Sequence, residues 1–314
     1  MRRILVIDYS QTGQTRRLRD SICAPLIAED GLKVDFLELQ PEQAFPFPWP
    51  MVKFFEIFPE TVQMQPVALK PYTIDTSQRY DLIILCYQVW FLSPSLPVSS
   101  FLQSPEAQNL LRDTPVVTVI GCRNMWLQAQ EKVKQQLQQL GARLVDNLVL
   151  TDQCGSAASF IATPLWMFTG KQKAWSWVPK AGIDAQQINQ ASRFGVVIAQ
   201  RLTQNPAPVT TSMLQGLGAV TINEKLMASE HIGNRSFQIW SRLLMKLGAP
   251  GSTGRRLGLM IYVVFLVTLI LTVVPISALI KALLRPLLRQ RLSKARAYFA
   301  DPSGESREKL RDNT

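Results

Sequence analysis

The chain has one histidine, His231, and four cysteines (Cys23, Cys86, Cys122 and Cys154), no two of which form a C-x-x-C pair. A structural zinc site needs several Cys or His ligands at close spacing, so no metal site is expected. An apolar run near the N-terminus is missing too. Arg2 and Arg3 are followed only by Ile4 to Ile7 before Asp8, against the ~7–15 apolar residues of a signal peptide. The expectation is a chain folded in a reducing cytoplasm, with free thiols. Charge is sparse, at 18% of 314 residues, while 47% are apolar. A wholly disordered chain is excluded, and there is room for one large domain or two modest ones.

The net charge of +11 is uneven: residues 251–314 carry eleven Lys/Arg against four Asp/Glu. A basic tail beside an apolar run suits a membrane surface better than nucleic acid, and no nucleic-acid partner is expected.

The first 204 residues alternate strand and helix patterns. Strands are predicted at Arg3–Tyr9, Lys33–Leu39, Tyr80–Tyr87, Pro115–Gly121 and Ala142–Leu150, as short apolar runs of the kind buried on both faces. Helical spacing follows the first strand (Leu18, Ile22, Leu26, with Pro25 kinking or shortening it) and the fourth (Leu127, Val133, Leu137, stopped by Gly141). Another helix opens at Asp184, an N-cap with Gln187 at the third position. Alternation of this kind forces parallel pairing, so the expected object is an α/β, doubly wound, five-stranded parallel sheet over 1–204. Ligands of such sheets sit beyond the carboxyl ends of the strands.

Two aromatic-rich insertions, Gln40–Ile74 with FPFPWP and Asp152–Gly182, are too long for ordinary connections. They either wall an apolar pocket, rest on a membrane surface, or cover sheet edges. Residues 205–256 read as a linker with an amphipathic helix over Ser236–Leu247, Leu257–Ile280 as an uncharged membrane helix, and 281–314 as a basic, partly disordered tail. At ~1.5 Å per residue, 24 residues reach about 36 Å, enough for a ~30 Å hydrocarbon core.

The loop after the first strand reads Ser10-Gln11-Thr12-Gly13-Gln14-Thr15. Backbone N–H groups and hydroxyls at a helix start can wrap a phosphate with neutral donors. The string lacks the Gly and Lys pattern of nucleotide triphosphatases. It resembles the [ST]-x-T-G-x-T phosphate loop of flavodoxins, which implies FMN as cofactor. The loops after the third and fourth strands, Gln88-Val89-Trp90-Phe91 and Cys122-Arg123-Asn124-Met125-Trp126, match the flavin-contacting loops of that fold. The resemblance implies Trp90 against the isoalloxazine ring and Arg123 near its pyrimidine edge. The alternatives are a core aromatic and a solvated arginine at a helix start.

Beyond the fold, FPFPWP, YQVWFLSPSLP, CRNMWLQAQEKV, NLVLTDQ and VVFLVTLILTVVP resemble the bacterial family of dialkylresorcinol condensing enzymes, over nearly the whole chain. That resemblance implies a flavodoxin-like FMN oxidoreductase that aromatises a dialkyl cyclohexanedione, a lipid-like ring made by a separate ketosynthase-type condensing enzyme. Condensation itself needs a nucleophilic Cys with two His residues, and this sequence has one His in a polar stretch. Tyr9, Tyr87 and Asp152 are the candidate bases, with no choice among them. The alternative is a membrane-tethered NAD(P)H-dependent quinone reductase or electron carrier; a third reading is a scaffold without flavin. The expected location is the cytoplasmic membrane, with the α/β domain in the cytoplasm. Basic residues flank the membrane segment on both sides (Arg242, Lys246, Arg255 and Arg256 before; Lys281, Arg285, Arg289, Arg291, Lys294 and Arg296 after), so both ends are expected on one side, by a re-entrant path or a tail lying on the surface.

Overall fold

Runs of Ile, Leu and Val leave a strand no polar face to show, and such strands end up in the middle of a sheet. In the computed structural model, β1 (Arg2–Asp8), β2 (Leu32–Glu38), β3 (Leu82–Tyr87), β4 (Pro115–Cys122) and β5 (Arg143–Thr151) form one parallel sheet in the order β2-β1-β3-β4-β5. Strands β3 and β4 are buried at every position, while the edge strand β2 mixes buried and exposed positions. The order is that of the flavodoxin-like doubly wound fold, with its switch point between β1 and β3. The structure describes residues 1–155 and 158–311, with side chains outside 273–288. The part of the expected membrane segment beyond residue 272 and of the basic tail before 289 is therefore described in backbone only, and 312–314 lie outside.

The helices along the first part of the chain are α1 (Gln14–Ile27), α2 (Met51–Glu56), α3 (Phe58–Val62), α4 (Leu96–Phe101), α5 (Pro105–Leu111) and α6 (Leu127–Gln139). They are followed by α7 (Ser159–Thr169), α8 (Ala185–Gln190), α9 (Ser192–Gln204), α10 (Glu224–Lys246), α11 (Thr253–Ala300) and α12 (Glu308–Arg311). One face of the sheet is covered by α1, α8 and α9, through Leu18, Ile22, Phe194 and Ile198. The other is covered by α4, α5 and α6, through Val98, Phe101, Leu110, Val133 and Leu137. The backbones of α1 and α9 approach so closely that a Cβ on Gly195 would lie 1.9 Å from the Ile22 carbonyl oxygen. Asp184 caps α8 by accepting from the Gln186 N–H at 2.7 Å. The helix expected after it is divided at Ala191 into α8 and α9.

The expected boundary at 204 is not where the domain ends. Val209, Met213, Leu214 and Leu217 complete the core beside α1 and α9, and Ala300 joins the opposite core. The cause is Asp146, buried on β5. Its carboxylate accepts from Ser212 Oγ (2.6 Å), Met213 N (2.8 Å), Leu214 N (3.2 Å) and Ser303 Oγ (2.7 Å). A buried carboxylate demands donors, and here two segments read as linker and disordered tail supply them. Glu305 adds a bond to Ile222 N at 2.8 Å, and Leu310 packs beside α9's core. The amphipathic helix is also longer than expected, beginning at Glu224.

Candidate functional site

All three chemistry-bearing loops emerge at the carboxyl edge of the sheet, because parallel strands share one direction. Gly13 is the N-cap of α1 at φ +78°, a left-handed turn that glycine adopts without strain, and the first-turn N–H groups of a helix have no intrahelical acceptor. Ser10 Oγ accepts from Arg16 N at 3.1 Å, and Gln11 Nε2 donates to the Pro46 carbonyl at 2.8 Å. Thr12 is half-buried; Gln14 and Thr15 are buried, with Gln14 Nε2 donating to Ile183 O at 3.3 Å. Sequence reasoning passed over Arg17, whose guanidinium folds back to 3.8 Å from where a Gly13 Cβ would stand. The Arg16-Arg17 pair directly after the loop was the signal.

After β3 the chain makes a small hairpin, Val89–Trp90 paired with Ser93–Pro94. Its two turn residues, Phe91 (φ 46°) and Leu92 (φ 58°), are both left-handed, where Gly or Asn is usual and a bulky residue costs about 1 kcal/mol. Lys132 of α6 braces this turn, with Nζ on Ser93 Oγ at 2.7 Å and Val62 O at 3.3 Å. Burial lowers the Lys132 ammonium to about 8. Trp90 sits in a ring of aromatic edges from Tyr9 (5.9 Å), Phe45 (5.1 Å) and Trp49 (5.9 Å). Phe91 points the other way, against Phe54 and Phe58.

The FPFPWP insertion therefore walls the site, and the second insertion closes on it. Trp49 N donates to Met167 O of α7 at 2.8 Å, Phe47 meets Trp166 and Phe54 meets Phe168. Arg123 is held from the same helix: its Nε donates to Ser159 Oγ at 2.8 Å and its plane lies 4.3 Å over Phe160. Two buried donors at this edge have no partner among the described residues, Gln88 Nε2 and Arg123 Nη2. Such donors also occur away from this edge, as at Asn147 Nδ2 and Arg193 Nε; these two stand out by lying in the second and third loops, where a ligand or water would accept from them. Asn124 is half-buried beside them.

Several expected residues serve other ends. Tyr87 is fully enclosed and donates to Gln130 Oε1 at 2.5 Å, in a buried chain that continues to Thr118. It is a core residue, not a base. Trp126 and Cys122 belong to the same core, and burial pushes the Cys122 thiol upward. Asp152 spends its two oxygens on Gly182 N (2.7 Å) and Cys154 N (2.8 Å), pinning the second insertion to the end of β5. Tyr9 stays at this edge, but burial raises its hydroxyl further above the ordinary phenol value, so at neutral pH it is protonated and takes no proton. His231 is exposed on α10.

No known family model and no curated protein matches the sequence. Among solved structures the chain is similar to a flavoprotein in complex with FMN from Lactobacillus acidophilus NCFM, at 16% identity over 48% of this chain and 93% of that one, with a TM-score of 0.39. It is also similar to a flavodoxin, WrbA-like protein from Agrobacterium tumefaciens (10% identity, 65% and 99% covered, TM-score 0.37) and to an oxidised flavodoxin 1 from Bacillus cereus (13%, 62% and 94%, TM-score 0.33).

Proposed function

We propose that this chain binds FMN at the carboxyl edge of β1, β3 and β4 and carries out two-electron redox chemistry on a lipid-like ring at a membrane. One observation carries the reading: a left-handed glycine opening a helix start lies on the same sheet edge as two orphaned buried donors and an aromatic cluster. The first suits a phosphate, the donors suit the carbonyl-bearing edge of a flat heterocycle, and the aromatics exclude water from it. When bound, FMN supplies hydride acceptance.

The protein groups then have separable tasks. Ser10, Thr12, Gly13 and the start of α1 hold the phosphate, with Arg17 adding charge. Gln88 and Arg123 donate toward the ring, and the Arg123 cation favours negative charge there. The Tyr9 hydroxyl orients substrate. Resemblance to the dialkylresorcinol family supports a dialkyl cyclohexanedione as the ring. A 1,3-dione is acidic enough to lose its proton to solvent, which suits a site whose candidate bases are all engaged or protonated. Its alkyl tails suit the aromatic walls, and a separate ketosynthase-type enzyme would supply the dione.

The test is purification of the full chain in detergent. Yellow flavin absorbance, bleached without oxygen by a dialkyl cyclohexanedione, is the expected result. A colourless protein with no affinity for FMN refutes the cofactor. Rapid bleaching by NADPH and none by the dione replaces the ring-oxidising role with that of a quinone reductase.

A further inference from the structure

The long helix α11 starts and finishes on the same domain. At its start, Arg255 is buried and holds both oxygens of Glu60 and the carbonyl of Glu56. At its finish, Tyr298 Oη donates to Glu131 at 2.6 Å, Lys134 lies over the Tyr298 ring, and Arg296 pairs with Glu224 at 3.1 Å. A straight α-helix would put Arg255 and Tyr298 about 65 Å apart. The route through the protein is shorter: Arg255 to Glu60, on to Val62, across its bond to Lys132, and from Glu131 to Tyr298. With every side chain extended this path is about 50 Å. The helix therefore bends and comes back; Pro275 and Pro286 are the residues in its sequence that can bend it.

Its first part is long and apolar enough to cross a membrane. Leu259 and Tyr262 face the protein, while Leu257, Met260, Ile261, Val264 and Leu271 are all more than half exposed, a stripe at helical spacing. Beside it α10 exposes Ile239 and Leu243, and α2 exposes Met51 and Val52. Exposed cations border this surface: Arg242 and Lys246 on α10, Lys53 on α2, and Arg256 at the start of α11.

We infer that α11 is a re-entrant insertion: it enters an anionic bilayer and returns to the side it came from, with residues 289–311 docked on the same domain as residues 1–222. The docked end decides this, because a helix that crossed would strand Ser303 and Glu305 across the membrane from Asp146 and Ile222. Charge agrees. Basic residues flank the apolar stretch on both sides, which offends the positive-inside tendency for a single crossing and satisfies it when both flanks share one face. The insertion also reaches the candidate site. Aromatic rings run without a break from Phe265 through Trp240, Tyr262, Phe58, Phe91, Phe54 and Trp49 to Trp90, with centroids 4.4–5.9 Å apart.

The experiment uses the full chain in native membranes. Reporter fusions at Met1 and at Thr314 are expected to read the same side. In a Cys154→Ser background, Ser212→Cys with Ser303→Cys is expected to close a disulfide under mild oxidation, since both hydroxyls bond one Asp146 oxygen. Reporters on opposite sides overturn the inference, as does full-length protein that stays in the high-speed supernatant, where a second copy would be covering the apolar face. Absence of the cross-link in membrane-bound, folded protein overturns the docked tail. The reporter arm needs no substitution, so a misfolded cysteine variant leaves the orientation test intact. Flavin content is read separately, so loss of the FMN reading would not be mistaken for loss of this one.

Discussion

Glu230 should make the protein less stable as pH rises toward neutrality. It lies on α10, 1% exposed, with Oε1 accepting from Gln128 N at 2.7 Å, at the start of α6 and next to the third loop of the candidate site. Burial raises its carboxyl to about 7 from 4.5, and the bonds from the Gln128 and Leu127 backbone N–H groups only partly oppose this. Between those two values the folded state holds a proton that the unfolded state has already released. Stability from this group is therefore greatest below pH ~4.5, falls through the interval, and is flat above pH ~7. At ~1.4 kcal/mol per pKa unit the loss is about 3 kcal/mol. Glu230→Gln keeps an acceptor for the α6 N–H groups and cannot ionise. It should match the wild type near pH 5 and exceed it by about 1–3 kcal/mol at pH 8, less whatever its extra amide N–H costs to bury. Urea unfolding of the detergent-solubilised protein at several pH values measures the difference. Asp8 and Asp146 are also raised by burial, but they are common to both proteins and cancel. An unchanged slope in the variant, or a variant less stable at pH 8, would refute the reasoning.

Gly195→Ala drives a methyl into the Ile22 carbonyl and should cost about 3 kcal/mol by forcing α1 and α9 apart, seen as a lower Tm with cooperative unfolding retained. Asp146→Ala leaves four donors without their acceptor and should cost at least about 3 kcal/mol; limited proteolysis should then cut within 205–222 and 301–311. Arg123→Gln, in the flavin-loaded protein, should lower the two-electron potential by about 30–60 mV, the equivalent of ~1.5–3 kcal/mol, and spectroelectrochemical titration reads it. A potential that does not move would place Arg123 away from the flavin.

The sequence alone determined the sheet. Five short apolar runs separated by helical spacing admit a parallel, doubly wound arrangement and little else, so the strands fell within a residue or two of expectation. The turn after β1 was legible for a local reason: a glycine flanked by hydroxyl residues at a strand-to-helix junction says what its own backbone does. What the sequence could not carry was any statement depending on which distant segment meets a buried polar group. Asp146 reads as one more polar residue in an edge strand until Ser212 and Ser303 close on it, and only then do the supposed linker and tail become part of the domain. Tyr87, Trp126 and Asp152 looked like site residues because they flank the right loops; whether such a side chain faces core or cleft depends on a strand's pleat and on what packs above it. The return of α11 to the domain is the furthest from legibility. Length and hydropathy measure a helix along its own axis, whereas its direction is fixed by an ion pair at Glu60 and a hydrogen bond at Glu131, contacts that exist only once the tertiary structure has brought those elements together.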